Sequence, residues 1–277
     1  MRSSVLLQID NDLFSLHGAG PPPDYDYTHG THLGVTVPNA RRPPWLIGAG
    51  LGQEIYTPRH NVAQPIPGDR PYGAWIFGTA SLSRIANARL DSFNIRCGVT
   101  GPPALGEELQ NGVHRLLGNH LEEGWSHQIP THFALAASYD ATRVVVSSGV
   151  TSRFLTASVG GTLGTLRRET HADVQGYWSL GPRSPPVASA PLVRSPGRWF
   201  VSGGYRQYFV AHDTFIEGNG EVAGAIRIPW VGEAFVGTGV RFSRFALEYR
   251  DVVRGREYRS EPGKHAYGSI EITAILH

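Results

Sequence analysis

Apolar and polar residues alternate in short runs along almost the whole chain. Val5, Leu7 and Ile9 oppose Leu6, Gln8 and Asp10; Leu33, Val35 and Val37 oppose His32, Gly34 and Thr36. Ile47, Ala49 and Leu51 oppose Gly48, Gly50 and Gly52. A period of two puts each set on one face of a strand. The pattern predicts twelve strands, at 4–12, 27–37, 45–56, 71–83, 88–99, 130–139, 143–151, 156–167, 198–213, 233–243, a short run from 245, and 266–276. Asp140-Ala141-Thr142 reads as a tight turn between the sixth and seventh, and 169–197 as a long Pro/Ser-rich connection.

One stretch breaks the alternation. Gly101 to Gln128 carries a helix, opened by Pro102 and Pro103, with Glu107 and Glu108 in its first turn and Gly118-Asn119 as the stop. Gln110 and His114 are four apart and share a face. Leu105, Leu109, Val113, Leu116 and Leu117 cover a neighbouring face, which must pack on something.

The even strand count, the length of several strands and the mixture of Arg, Glu and Gly on the second face fit a barrel with a polar lumen. Aromatics near strand ends (Trp45, Tyr56, Tyr72, Tyr139, Trp199, Tyr267) fit interfacial girdles. The expected fold is all-β: a twelve-stranded antiparallel up-and-down transmembrane β-barrel. It forms a single domain over 1–277, with one short helix in an outer loop at about 101–129. A soluble β-sandwich would show the same alternation.

Composition narrows the function. A net charge of +2 gives no ground for a nucleic-acid partner. Cys97 is the single cysteine, which rules out an internal disulfide and a zinc site of the usual kind. The opening MRSSVLLQIDND carries no export signal.

Numbering the strands up and down gathers Asn11, Asp12, Asp26, Thr28, Asp69, Arg70, Gln110 and His114 at one rim. Asp12 and Thr28 belong to the lumen-side sets. A carboxylate with hydroxyl and carbonyl oxygens suits a hard cation, calcium more readily than zinc. His114 can activate water as a general base, Gln110 can orient it, and a bound cation can polarise an ester carbonyl. That describes metal-assisted ester hydrolysis without a serine nucleophile; no GxSxG is present.

Several blocks then fall into a known order: Ile9 to Asp12, Asp26 to Gly30, Glu54 to Pro58, Asp69 to Tyr72, Gly98 to Gly118 with Glu107, Gln110 and His114, Gly124-Trp125 with Gln128, and Phe215 to Asn219. With them the chain resembles the outer-membrane lipid A 3′-O-deacylase family. The resemblance implies an active site between the barrel wall and a loop helix. It implies calcium-dependent removal of the 3′-linked acyloxyacyl group of lipid A (lipopolysaccharide), with His114 as base and Asn11, Thr28 and Gln110 as catalytic companions. Asp12 and Thr28 would bind Ca2+. Arg59 stands nearest the family's basic residue, and Arg59 and Arg70 are the expected substrate-binding residues. The family's acidic residue six positions after the histidine is His120 here, with Glu122 and Glu123 as the nearest carboxylates. The expected location is the bacterial outer membrane, and the expected state a monomer. A barrel of the same ancestry without activity and a soluble sandwich are the competing readings.

Overall fold

The computed structural model describes residues 2–16, 25–148, 152–179, 198–242 and 244–276. Twelve antiparallel strands close into a barrel in chain order. They are β1 (Ser4–Asn11), β2 (Asp26–Pro38), β3 (Trp45–Thr57), β4 (Gly73–Ala86), β5 (Arg89–Thr100), β6 (Phe133–Ser148), β7 (Ser152–Gly164), β8 (Arg167–Ser179), β9 (Arg198–Asp213), β10 (Trp230–Arg241), β11 (Phe245–Arg254) and β12 (His265–Ile275). The closing seam pairs β1 with β12, from Ser4 against Ile275 to Asn11 against Gly268. Closure gives every strand two partners, the condition for carrying a sheet through hydrocarbon.

The alternating faces sort as the period requires. Leu33, Leu51, Phe93, Val236 and Leu247 point outward, Leu51 at 66% and Val236 at 64% exposure. Each such side chain left in water forgoes about 1.5–3 kcal/mol. A belt of them belongs in lipid, and among the described residues no second sheet covers it as a sandwich would. Inside, charges pair across strands, Arg206 with Asp173 at 3.1 Å and Arg254 with Glu233 at 3.1 Å, and along β11, Arg250 with Glu248 at 2.8 Å. Two polar cavities remain in the lumen. One of 240 Å³ is lined by Asp10, Glu54, Arg206 and Arg254; one of 290 Å³ is lined by Ser83, Ser92, Thr142 and Ser158.

The twelve strands are not divided as predicted. β6 runs straight through Asp140-Ala141-Thr142. Those polar residues are lumen positions: Asp140 Oδ1 lies 2.9 Å from His171 Nε2, and the Thr142 hydroxyl 2.9 Å from that of Ser158. β7 occupies 152–164 rather than 156–167, and β8 lies inside the stretch expected to be a connection. The predicted sixth and seventh strands merge and β8 replaces the lost one, so the count survives. Of that connection, 180–197 lies outside the described residues. The girdle also needs correcting. Tyr56 stacks on Phe215 with ring centroids 4.5 Å apart, Tyr267 lies edge-on to Tyr27 at 5.0 Å, and Tyr72 is buried against Trp125. Tyr139 and Trp199 remain exposed, as an interfacial position requires.

β1 rises to the rim that also starts β2; we call it the upper rim. The lower rim has short turns at 39–44 and 87–88.

Candidate active site

The segment between β5 and β6 leaves the upper rim and folds back over the outside of the wall. Pro102–Ala104 forms one 3-10 turn, and α1 runs Gly106–Leu117. The two prolines thus open the turn, and the α-helix begins four residues later. Gly118, at φ 73°, ends it in the left-handed conformation with its N–H on the His114 carbonyl.

The outward direction follows from β4. Trp75 and Phe77 face the lumen, where Trp75 Nε1 donates to Glu54 at 3.0 Å, so Ala74, one residue before Trp75, faces out. Ala74 is covered by Ala104, Trp125, Ile55 and Tyr72, all buried in one apolar cluster. A Cβ on Gly106 would come within 2.6 Å of the Ala74 Cβ and of the Trp125 ring. Only glycine lets the helix lie this close to the wall.

The helix turns polar side chains toward the protein. Its buried residues are Gly106, Gln110, Asn111 and His114. Asn111 ties down the returning chain, accepting the Glu122 N–H at 2.8 Å and donating to the Glu122 carbonyl at 3.1 Å. His114 is 7% exposed, and its Nδ1 lies 2.5 Å from the His120 carbonyl. A carbonyl can only accept, so Nδ1 carries the proton and Nε2 keeps the lone pair. The Gln110 Oε1 accepts from Trp125 Nε1 at 3.0 Å, which fixes the amide's orientation. The Gln110 Nε2 is buried and has no hydrogen-bond partner among the described residues. A buried donor left in this way calls for an acceptor that arrives from outside the chain. Glu122 is buried as well, and Tyr72 donates to its carboxylate at 2.5 Å. Glu123 is exposed.

The other expected residues sit where β1 and β2 meet. β2 carries a bulge between Tyr27 and His29. It sends Tyr27 into the lumen, where its hydroxyl donates to Asp10 at 2.8 Å, and brings the Thr28 hydroxyl within 2.5 Å of the Thr57 hydroxyl. Thr57 follows lumen-facing Tyr56 and shares the outward parity of Ile55. The placing of Thr28 in the lumen set is therefore corrected: the bulge shifts the register by one residue and turns its hydroxyl away from the lumen. Asp12 leaves the strand altogether, opening a 3-10 turn at Asp12–Phe14 in which it alone is buried. Asn11, opposite in parity to Asp10, joins the two: its Nδ2 donates to the Thr28 carbonyl at 3.1 Å and its Oδ1 accepts the Leu13 N–H at 2.9 Å. Asn11, Asp12 and Thr28 thus form one oxygen-rich corner. Gln110 and His114 form the wall-facing side of α1.

Arg59 and Arg70 turn inward, into a network that caps the upper rim. Arg70 is 1% exposed and donates to the Phe215 carbonyl at 3.1 Å, to Asp26 at 3.4 Å and to Glu257 at 3.3 Å. Its charge is held by protein carboxylates, which corrects the expectation of a substrate contact. Arg59 stacks on Tyr25 with its guanidinium carbon 4.0 Å from the ring centroid and donates to Asp26 at 2.8 Å and Glu261 at 3.3 Å. Burial works against the charge on Glu257, but Arg254 and then Arg70 outweigh it and hold the carboxyl down at about 2. Burial, and then Asp26, push the Tyr258 hydroxyl well above its usual range.

Two places merit testing as metal sites. Asp26, Glu261 and His265 are buried, with ligand atoms within 4.8 Å of one another. Arg59 already bridges the same Asp26 and Glu261 oxygens that would bind the ion. The Asn11–Asp12–Thr28 corner offers amide, carboxylate and hydroxyl oxygens only, a donor set that fits calcium.

Sequence reasoning missed three positioning groups. The His120 carbonyl is a backbone atom and leaves no residue signature. Thr57 and Trp125 lie inside blocks that were noticed, but their partners are 29 and 15 residues away.

The family model for the outer membrane protein LpxR matches residues 1–276. Among solved structures, LpxR from Salmonella typhimurium superposes with a TM-score of 0.83 at 19% identity, covering 99% of this chain and 100% of that one. The β domain of the Bordetella autotransporter BrkA gives 0.50 at 9% identity over 98% and 97%. A comparison with curated proteins finds no match.

Proposed function

This chain belongs to the LpxR outer membrane protein family, and from that premise we propose that it is a calcium-dependent ester hydrolase. Its substrate is lipid A, from which it removes the 3′-linked acyloxyacyl chain. The observation that carries the reading is the fixed imidazole of His114. Its Nδ1 proton is committed to the His120 carbonyl, which leaves Nε2 as the base on the wall-facing side of α1.

In this reading a water at Nε2 gives its proton to His114 as its oxygen attacks the ester carbonyl. The tetrahedral oxyanion collapses and the bond from the acyl carbon to the 3′ oxygen breaks. The departing oxygen takes the proton back from the imidazolium, so acid and alcohol leave and His114 is restored. The buried Gln110 Nε2 is the donor that meets a substrate oxygen. Asp12 and Thr28, tied together by Asn11, would hold the calcium ion, which when bound supplies positive charge against the developing oxyanion. Arg59, at the edge of the rim network, is the arginine assigned to a lipid A phosphate; Arg70 braces it. The barrel acts as a monomer.

The test is mass spectrometry of lipid A incubated with the folded protein. We expect release of the 3′ acyloxyacyl group, its loss on chelation of calcium, and a fall of about 100-fold or more in His114→Ala. Wild-type release in both the chelated protein and the variant rejects the mechanism. The second reading, a non-catalytic barrel of the same ancestry, rests on His120 standing where the resemblance expects a carboxylate. Undegraded lipid A together with no calcium binding would favour it.

A further inference from the structure

α1 is amphipathic in the sense opposite to a helix of a water-soluble protein. Its buried residues are Gly106, Gln110, Asn111 and His114, while Leu105, Leu109, Val113, Leu116 and Leu117 are exposed, Leu116 at 84%. The apolar face expected to pack on the protein does not. At about 3.6 residues per turn, Leu105, Leu109, Val113 and Leu116 fall on one flank and Glu108 and Arg115 on the other. Gln110, His114 and Asn111 lie between them, toward the wall. A helix so divided has one flank for an apolar phase and one for a polar phase.

The position of α1 supplies the apolar phase. Its segment lies on the outside of β3 and β4: Ala104 and Trp125 cover Ile55 and Ala74, and Gly106 at the start of α1 stands against Ala74. Further down each strand, on the same outward parity, stand exposed Leu51, two steps below Ile55, and Ile76, one step below Ala74. On β6, where the helix segment rejoins the wall, Phe133 is 65% and Leu135 47% exposed. The segment that carries α1 thus meets the wall beside the belt that the barrel presents to lipid, and that belt's lipid is the apolar phase within reach of the leucine flank.

The geometry points to α1 as an interfacial helix whose Leu105–Leu109–Val113–Leu116 flank is embedded among the acyl chains of the outer leaflet. Glu108 and Arg115 face the headgroups and water. The inference rests on the outer-membrane location and not on ester hydrolysis, so it stands or falls separately from the proposed activity. The occupant is the lipid itself. A second copy of the chain covering the same leucines is the competing arrangement.

Cys97, the only cysteine, is exposed on β5 with outward-facing Phe93 and Ile95. It therefore serves as an internal lipid-side reference for site-directed spin labelling. In a Cys97→Ser background, Leu109→Cys, Leu116→Cys, Glu108→Cys and Arg115→Cys are labelled one at a time. Each full-length protein is reconstituted in phospholipid vesicles at low protein density. Collision with oxygen and with a water-soluble nickel chelate is then measured.

We expect the oxygen-to-nickel ratio at 109 and 116 to match that at Cys97 and to exceed that at 108 and 115 several-fold. Nickel access at 116 equal to that at 108 would place the flank in water and overturn the proposal. Low access to both reagents at 116 would mean protein covers it, and overturns it in favour of a second copy if access rises on dilution in lipid. These are surface positions, so no variant threatens the barrel.

Discussion

At the scale of the residue, the tautomer of His114 is set by a backbone hydrogen bond. Its Nδ1 proton goes to a backbone carbonyl, so the identity of side chain 120 does not enter the contact. His120→Ala retains that carbonyl. We expect it to keep lipid A deacylation near the parent rate, whereas His114→Ala loses it. A loss in His120→Ala as deep as in His114→Ala would show that the imidazole of residue 120 does chemistry of its own. Gly106 shows the same economy of means: a hydrogen in place of a methyl group lets α1 reach Ala74. The sequence singles out His114 and holds Gly106 within the helix block, but nothing about position 120 or position 74 announces a contact with the helix.

At the scale of the element, the rim loops are held by charge rather than by apolar packing. Residues 58–72 contribute Arg59, Asp69 and Arg70; residues 255–264 contribute Glu257, Tyr258 and Glu261. Glu257 titrates at about 2 instead of 4.5 in this setting. Its folded pKa is lowered, so its contribution is complete above about pH 4.5 and is lost as pH falls toward 2. The difference corresponds to about 3 kcal/mol. We expect protection factors in 58–72 and 255–264, corrected for the intrinsic exchange rate at each pH, to fall between pH 5 and pH 3 while the strands stay protected, and Glu257→Gln to remove most of that pH dependence. Uniform protection across this window would mean that the carboxylate does not hold the loops. The β2 bulge works at the same scale. One extra residue reassigns Tyr27 and Thr28 to opposite sides of the wall, and strict alternation could not anticipate it.

For the whole molecule, the lumen is polar but obstructed. Arg206–Asp173 and Arg254–Glu233 reach across strands, Gln175 and Arg206 stand between the two cavities, and the Asp26–Arg70–Glu257 network lies over the upper rim. A charged, divided lumen does not pass ions as an open porin does. We expect the protein inserted in planar bilayers to give no stepwise conductance at neutral pH. Regular current increments would mean that these pairs do not block the path.

The alternating pattern by itself determined the class of fold, the number of strands and the outward belt, because a two-residue period and the cost of wetting apolar side chains leave few alternatives. It also set Gln110 and His114 on one side of a helix, since spacing of four is local geometry. It misplaced the strands between 130 and 179, because polar lumen residues such as Asp140 and Thr142 carry the same composition as a turn. Only the tertiary structure decided that Arg70 is spent on Asp26 and Glu257, that Thr28 leaves the lumen, and that the leucines of α1 face away from the protein. Those outcomes depend on which strands close on each other and on contacts between residues 29 to 187 positions apart, and no local rule of sequence contains them.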